Sequence, residues 1–139
     1  QSDPLLESRY GRQLADPERR PHDFLDGQYL VDKATEDLVT GRLHTFDANS
    51  YVYLSKAVTL FDLRGPGQTL EQALGEIKVP TLIVHVQNDQ WLRVQNAAFA
   101  RQQIPGARLL TFADPLAHYA IFKAPQQFTA EIAAFLKGL

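Results

Sequence analysis

Apolar and polar positions along the chain change their period once, near residue 79. Before that point apolar residues recur at three- and four-residue spacings, as on one side of a helix. Ser2-Asp3-Pro4 is a helix start, with a side-chain oxygen to cap free amides and a proline where its missing N–H costs nothing. Leu6, Tyr10 and Leu14 follow at four-residue spacing. A proline-bounded polar connection, Asp16 to Pro21, leads to a second predicted helix from His22 or Asp23 to Leu38, weakened by Gly27 within it. Residues 41–47 read as a loop. Asn49 is expected to cap a third helix with Tyr51, Leu54, Val58 and Phe61 on one face, and Arg64-Gly65-Pro66-Gly67 ends it. Thr69 and Gln72 have the spacing of a capping box for a short helix, with Leu70, Ala73, Leu74 and Ile77 facing inward.

From Val79 to Val86 the sequence is nearly continuous β-branched and apolar residues, the signature of a strand covered on both faces of a parallel sheet. Val94 to Gln103 reads as helix and Ala107 to Phe112 as a second strand. Pro125 to Lys137 reads as a closing helix with Phe128, Ile132, Phe135, Leu136 and Leu139 on one face. Two parallel strands of this buried character need neighbours, so the pattern predicts part of a larger α/β sheet. Residues 1–62 are expected to form a helical insertion, and residues 63–139 a β-α-β-α part of the core.

Composition narrows the function classes. The chain has 139 residues, 45% hydrophobic and 22% charged, with a formal net charge of −2. Nothing in this balance points to nucleic acid or an anionic membrane, both of which demand clustered Lys and Arg. Residues 1–47 carry 6 basic and 10 acidic side chains, residues 48–139 carry 8 and 6, so the front is a polar, solvated module. No apolar run approaches a membrane span, and a cytoplasmic location is expected. Cysteine is absent, which excludes disulfides, thiolate metal sites and a cysteine nucleophile among these residues. Methionine is absent too, so a longer primary product is expected, with Gln1 marking a cut or processing site.

Reactive residues of open α/β sheets gather in loops beyond the carboxyl ends of strands. Gln87-Asn88-Asp89-Gln90-Trp91-Leu92 follows the first predicted strand, and Ala113-Asp114-Pro115-Leu116-Ala117-His118-Tyr119 the second. An acid beyond one strand and a histidine beyond the next can meet at one edge. A carboxylate on one ring nitrogen of His118 would fix its tautomer and stabilise the imidazolium formed when the other nitrogen deprotonates a serine. Asp114 competes as the acid, but it precedes Pro115 in an ordinary turn initiation. No G-x-S-x-G elbow occurs, and Ser2, Ser8, Ser50 and Ser55 all lie in the helical front. His85, inside an apolar strand, reads as a hydrogen-bonded core residue, His22 as part of a helix start and His44 as exposed; no histidine spacing suggests a metal site. Phe46, Tyr51, Tyr53 and Phe61 read as core rather than pocket lining, and Trp91 as a residue that packs its loop.

Three segments carry a resemblance. Phe46-Asp47-Ala48-Asn49-Ser50-Tyr51-Val52-Tyr53-Leu54 with Phe61-Asp62-Leu63 resembles the lid of the homoserine O-acetyltransferase family. Asn88-Asp89-Gln90-Trp91-Leu92 is similar to its catalytic-aspartate loop, and Ala117-His118-Tyr119-Ala120-Ile121-Phe122 to its catalytic-histidine loop. The resemblance implies the C-terminal portion of an α/β-hydrolase fold with a helical lid insertion, residues 1–62 being the lid. It makes Asp89 the triad acid and His118 the triad base, with the serine and oxyanion-hole donors before Gln1, in the same gene product or a companion chain. It also implies acyl transfer to a small-molecule hydroxyl from acyl-CoA as co-substrate, with no permanently bound cofactor, and a homodimer formed through the lid. Tyr119 stands where the family usually has an aspartate that holds the amino group of homoserine, which puts that acceptor in question. Two other readings stay open: an esterase of the same fold, and a catalytically silent fragment or interaction module.

Overall fold

A glycine decides where the first helix stops. In the computed structural model, which describes residues 3–139, α1 (Asp3–Arg9) ends as Gly11 turns to a φ of +46°, a left-handed backbone that favours glycine. The Ser2 cap lies outside the described residues. Leu14, expected on the same helix face, instead forms an isolated antiparallel bridge with Tyr29, flanked by bonds from Ala15 N–H to the Gln28 carbonyl (3.0 Å) and from Leu30 N–H to the Gln13 carbonyl (2.7 Å). The segment between is folded into turns, and at Gly27 a Cβ would stand 2.7 Å from the Arg20 carbonyl group.

That closure overturns the expected helix start at His22 or Asp23. The second helix, α2 (Leu30–Leu43), begins after the bridge and continues through Gly41, where a loop was expected. Its first turn is held by Tyr29 N–H donating to Asp32 Oδ2 (3.0 Å). α3 (Ala48–Leu60) is capped by Asp47, whose carboxylate accepts from Ser50 N–H at 2.8 Å; Asn49, expected as the cap, lies inside the helix. Leu6–Phe61 forms one compact unit, and α1, α2 and α3 bury no residue fully. Phe46, Tyr51, Tyr53 and Phe61 are therefore exposed rather than core.

Asp62–Leu139 falls in the other unit. It opens with α4 (Leu70–Gly75), where the capping box forms: Gln72 N–H donates to Thr69 Oγ1 (3.3 Å) and Thr69 N–H to Gln72 Oε1 (2.8 Å). Leu74 then packs with Ile104 and Ala107, against Ile77, Phe99 and Ala100. Leu70, on the expected inner face, is exposed. β1 (Leu82–Val86) is shorter than the apolar run, since Pro80 has no N–H to offer a ladder and Val79 is exposed. α5 (Val94–Gln103) occupies the expected residues, and β2 (Arg108–Phe112) pairs parallel to β1, from Leu82 opposite Arg108 to Val86 opposite Phe112.

The chain after β2 is more broken than its apolar pattern suggested. A 3-10 turn at Ala117–Tyr119 and α6 (Ala120–Lys123) precede a second such turn at Pro125–Gln127 and the final helix, α7 (Thr129–Lys137). Phe128 interrupts the expected continuous helix with a φ of −139° and places its ring against Phe112, with centroids 5.5 Å apart. Val86, Ala120 and Ala124 form a buried cluster backed by Phe112, Leu116 and Ile121. The described residues thus form an α/β arrangement around a small, two-stranded parallel sheet. Among the described residues no helix is long and apolar enough to cross a membrane.

Candidate active site

The site stands where the two parallel strands end together. Gln87 N–H donates to the Phe112 carbonyl (2.7 Å), so the ladder persists to the last residues of β1 and β2 and their loops leave from adjacent points. In the first loop, Asp89 N–H bonds back to the Val86 carbonyl (3.2 Å), a turn that folds the acid over the strand end. Asp89 Oδ1 accepts from the amides of Trp91 (2.8 Å) and Leu92 (3.0 Å), and Oδ2 from His118 Nδ1 (2.8 Å). The carboxylate is only 4% exposed. Burial pushes its pKa up more than any other single influence. The His118 bond, the Leu92 and Trp91 amides and the imidazole charge together outweigh it, leaving the acid below its usual range.

His118 is delivered by a tight turn. Ala117 N–H donates to the Asp114 carbonyl (2.8 Å), and Leu116 N–H to Asp114 Oδ1 (2.8 Å). Ala117 takes a φ of +47°, strained for a residue with a Cβ, and is buried. The strain sits one residue before the imidazole. An ionised carboxylate can only accept, so the proton of the Asp89–His118 bond lies on Nδ1 and the neutral ring presents a lone pair at Nε2. Among the described residues no hydrogen bond reaches Nε2. The pair is thus an oriented base ready for a proton from a group brought to it.

The structure brings Asp89 and His118 together and gives the competing acid other partners. Asp114 closes its own turn and accepts from the Gln127 side chain. His85 Nδ1 lies 2.9 Å from the Val86 carbonyl, His22 sits in a turn rather than at a helix start, and His44 is exposed. Trp91 does not pack its loop: the residue is 77% exposed and its ring is tilted over the imidazole, with centroids 4.7 Å apart. Tyr119 approaches the imidazole edge-on at 6.1 Å. Among the described residues no three His, Cys, Asp or Glu side chains are grouped to hold a metal.

Sequence reasoning missed Asn88. Its side-chain amide donates to the Asp114 carbonyl (2.9 Å) and accepts from the Asp114 N–H (3.2 Å), joining the acid loop to the histidine loop. The available signal was an amide side chain beside the acid, which alone does not specify a backbone partner in another loop.

Comparison with known proteins extends the picture. The chain is 38% identical, over 66% of its length, to a homoserine O-acetyltransferase of Methanosphaerula palustris, of which the match covers 18%. Against the homoserine O-acetyltransferase of Moorella thermoacetica it is 31% identical over 99% of its length and 37% of that protein. The chain therefore spans well under half the length of these curated relatives. Its fold superimposes on homoserine O-acetyltransferase from Bacillus anthracis with a TM-score of 0.84, covering 96% of this chain and 36% of that one at 21% identity. A mutant esterase matches with a TM-score of 0.77 at 25% identity, over 88% of this chain and 34% of that one. No family model matches the chain.

Proposed function

The chain is homoserine O-acetyltransferase-like, with an α/β-hydrolase fold, and on that premise we propose that it supplies the acid and base of a serine-dependent acyl transfer. The carrying observation is the 2.8 Å bond between His118 Nδ1 and a buried Asp89 carboxylate, with no hydrogen bond to Nε2 among the described residues. His118 is the general base and Asp89 the acid that fixes its tautomer and stabilises its charged form. The nucleophilic serine comes from outside these 139 residues, in the same gene product or a companion chain.

In this reading the serine hydroxyl attacks the thioester carbonyl of an acyl-CoA while Nε2 takes its proton. The thiol leaves with that proton, and an acyl ester remains on the serine. An acceptor hydroxyl then gives its proton to Nε2 and attacks the ester; the proton returns to the serine oxygen as the product ester departs. Tyr119 provides no carboxylate for an amino-acid acceptor's ammonium, whose burial without a counter-charge is costly, so this position fits a hydroxyl acceptor without an ammonium group better than homoserine. A fluorophosphonate serine probe, applied to the full-length protein carrying this chain and read by mass spectrometry, tests the reading. One serine is labelled at a rate that falls about 10⁴-fold in His118→Ala. No labelled serine and no acyl-enzyme with any acyl-CoA would overturn it.

The esterase match and Tyr119 favour a second reading, in which water replaces the acceptor. Products formed from acyl-CoA with and without candidate alcohols separate the two: ester products support transfer, and free acid alone supports hydrolysis.

A further inference from the structure

Histidine and acid sit on two separate loops, and a base oriented by that acid demands that those loops hold a fixed separation. The Asp89–His118 bond cannot set that separation by itself, because the ring must stay aligned while its charge changes during each turnover. Asn88 also spans the gap, and unlike Trp91, whose ring lies over the imidazole, it does so with hydrogen bonds. Its amide makes two bonds to one residue, Nδ2 donating to the Asp114 carbonyl (2.9 Å) and Oδ1 accepting from the Asp114 N–H (3.2 Å), and it is half-buried.

The residue it grips is the one that builds the histidine turn. The Asp114 carbonyl receives both Asn88 Nδ2 and the N–H of Ala117, the residue held at positive φ directly before His118. Asp114 Oδ1 accepts from Leu116 N–H, and Oδ2 from Gln127 beyond α6. Asn88 adjoins Asp89 in the chain, so a bond that fixes Asp114 against Asn88 fixes the histidine turn against the acid. An amide suits the task because it both donates and accepts; a carboxylate could only accept and would face the Asp114 carbonyl with like charge.

We propose that Asn88 is a positioning residue for the catalytic pair: its two hydrogen bonds to the Asp114 backbone set the distance and orientation of the His118 ring relative to Asp89. The inference rests on the catalytic reading of Asp89 and His118. Displacing a reacting group by an ångström costs about 100-fold in rate. In the full-length protein, Asn88→Ala and the near-isosteric Asn88→Asp should each lower fluorophosphonate labelling and kcat by about 100-fold. KM should stay within about twofold, since neither variant alters a substrate contact. The far-downfield Nδ1 proton of His118, seen by NMR, should broaden or vanish in both. Thr69→Ala removes a helix cap elsewhere in the same unit and controls for general destabilisation; it should keep kcat and the NMR signal.

Labelling of both Asn88 variants within about twofold of wild type, with Asp89→Asn strongly impaired, would overturn the positioning role and leave the catalytic pair standing. Equal losses in Thr69→Ala and the Asn88 variants would overturn it as well, by showing that the effect follows stability. A wild-type protein that takes no serine label overturns the catalytic reading and this inference with it.

Discussion

At the scale of single residues, Asp89 carries the most chemistry per atom. Three donors converge on a nearly buried carboxylate, and a neutral isostere at this position changes two properties at once. In Asp89→Asn the amide can still accept from the Trp91 and Leu92 amides, but the nitrogen facing His118 is a donor and demands the opposite imidazole tautomer. The proton then sits on Nε2, where a lone pair is required, and serine labelling should fall about 10⁴-fold. The same variant isolates a stability effect. The Asp89 pKa is depressed in the folded protein, so its ionised form stabilises the fold fully above the ordinary carboxylate value of about 3.9. That contribution disappears as pH falls through the lower folded value. Urea unfolding should therefore show wild type ahead of Asp89→Asn above about pH 5, the margin closing below about pH 4. A margin that stays the same down to pH 3 would mean that ionisation of Asp89 contributes nothing to the fold.

At the scale of elements, the packing beneath the site is thin enough for single methyl groups to matter. Val86 is the last residue of β1 and, among the described residues, the one large side chain buried almost completely, enclosed by Ala120 and Ala124 of the segment after the histidine. Its carbonyl also receives the Asp89 N–H. Val86→Ala removes two methyl groups and leaves a cavity, which should lower the unfolding free energy by about 2 kcal/mol. Chemical denaturation of the protein measures this, and a change under about 0.5 kcal/mol would show the cluster to be loosely packed. α5 and the Thr69–Gln72 capping box were legible in the sequence because each rests on contacts a few residues apart, and β1 because its apolar, β-branched run marks a strand whatever its partner. The start of α2 was not. It follows from the Leu14–Tyr29 bridge and the close approach of Gly27 to Arg20, which pair residues that no local period relates. The site shows the same division. Asp89 and His118 could be picked out from their places beyond two strands, whereas Asn88 could not, because its partners are backbone atoms of the other loop. Trp91 was misjudged, since sequence does not tell a ring packed in its loop from one laid over an imidazole.

At the scale of the molecule, two features share one physical demand. Parallel strands are stable when both faces and both edges are covered, yet the described residues give this sheet two strands only. The helical unit exposes Leu43, Tyr51, Tyr53, Val58, Leu60 and Phe61, each more than 60% accessible, on segments that bury nothing fully. If the serine-bearing residues come from outside these 139, the strands and helices that cover such surfaces should arrive with them. The isolated 139-residue chain should then bind a hydrophobic dye such as ANS, unfold without a sharp transition and take no fluorophosphonate label. Adding the serine-bearing part should suppress the dye signal and restore labelling together, since one docking event supplies both the cover and the nucleophile. The opposite result has a definite meaning: an isolated chain that melts cooperatively, ignores the dye and cleaves an activated ester in a manner lost in Asp89→Asn must hold its nucleophile within these residues. Ser8, Ser50 and Ser55 of the helical unit would then be the serines to replace first.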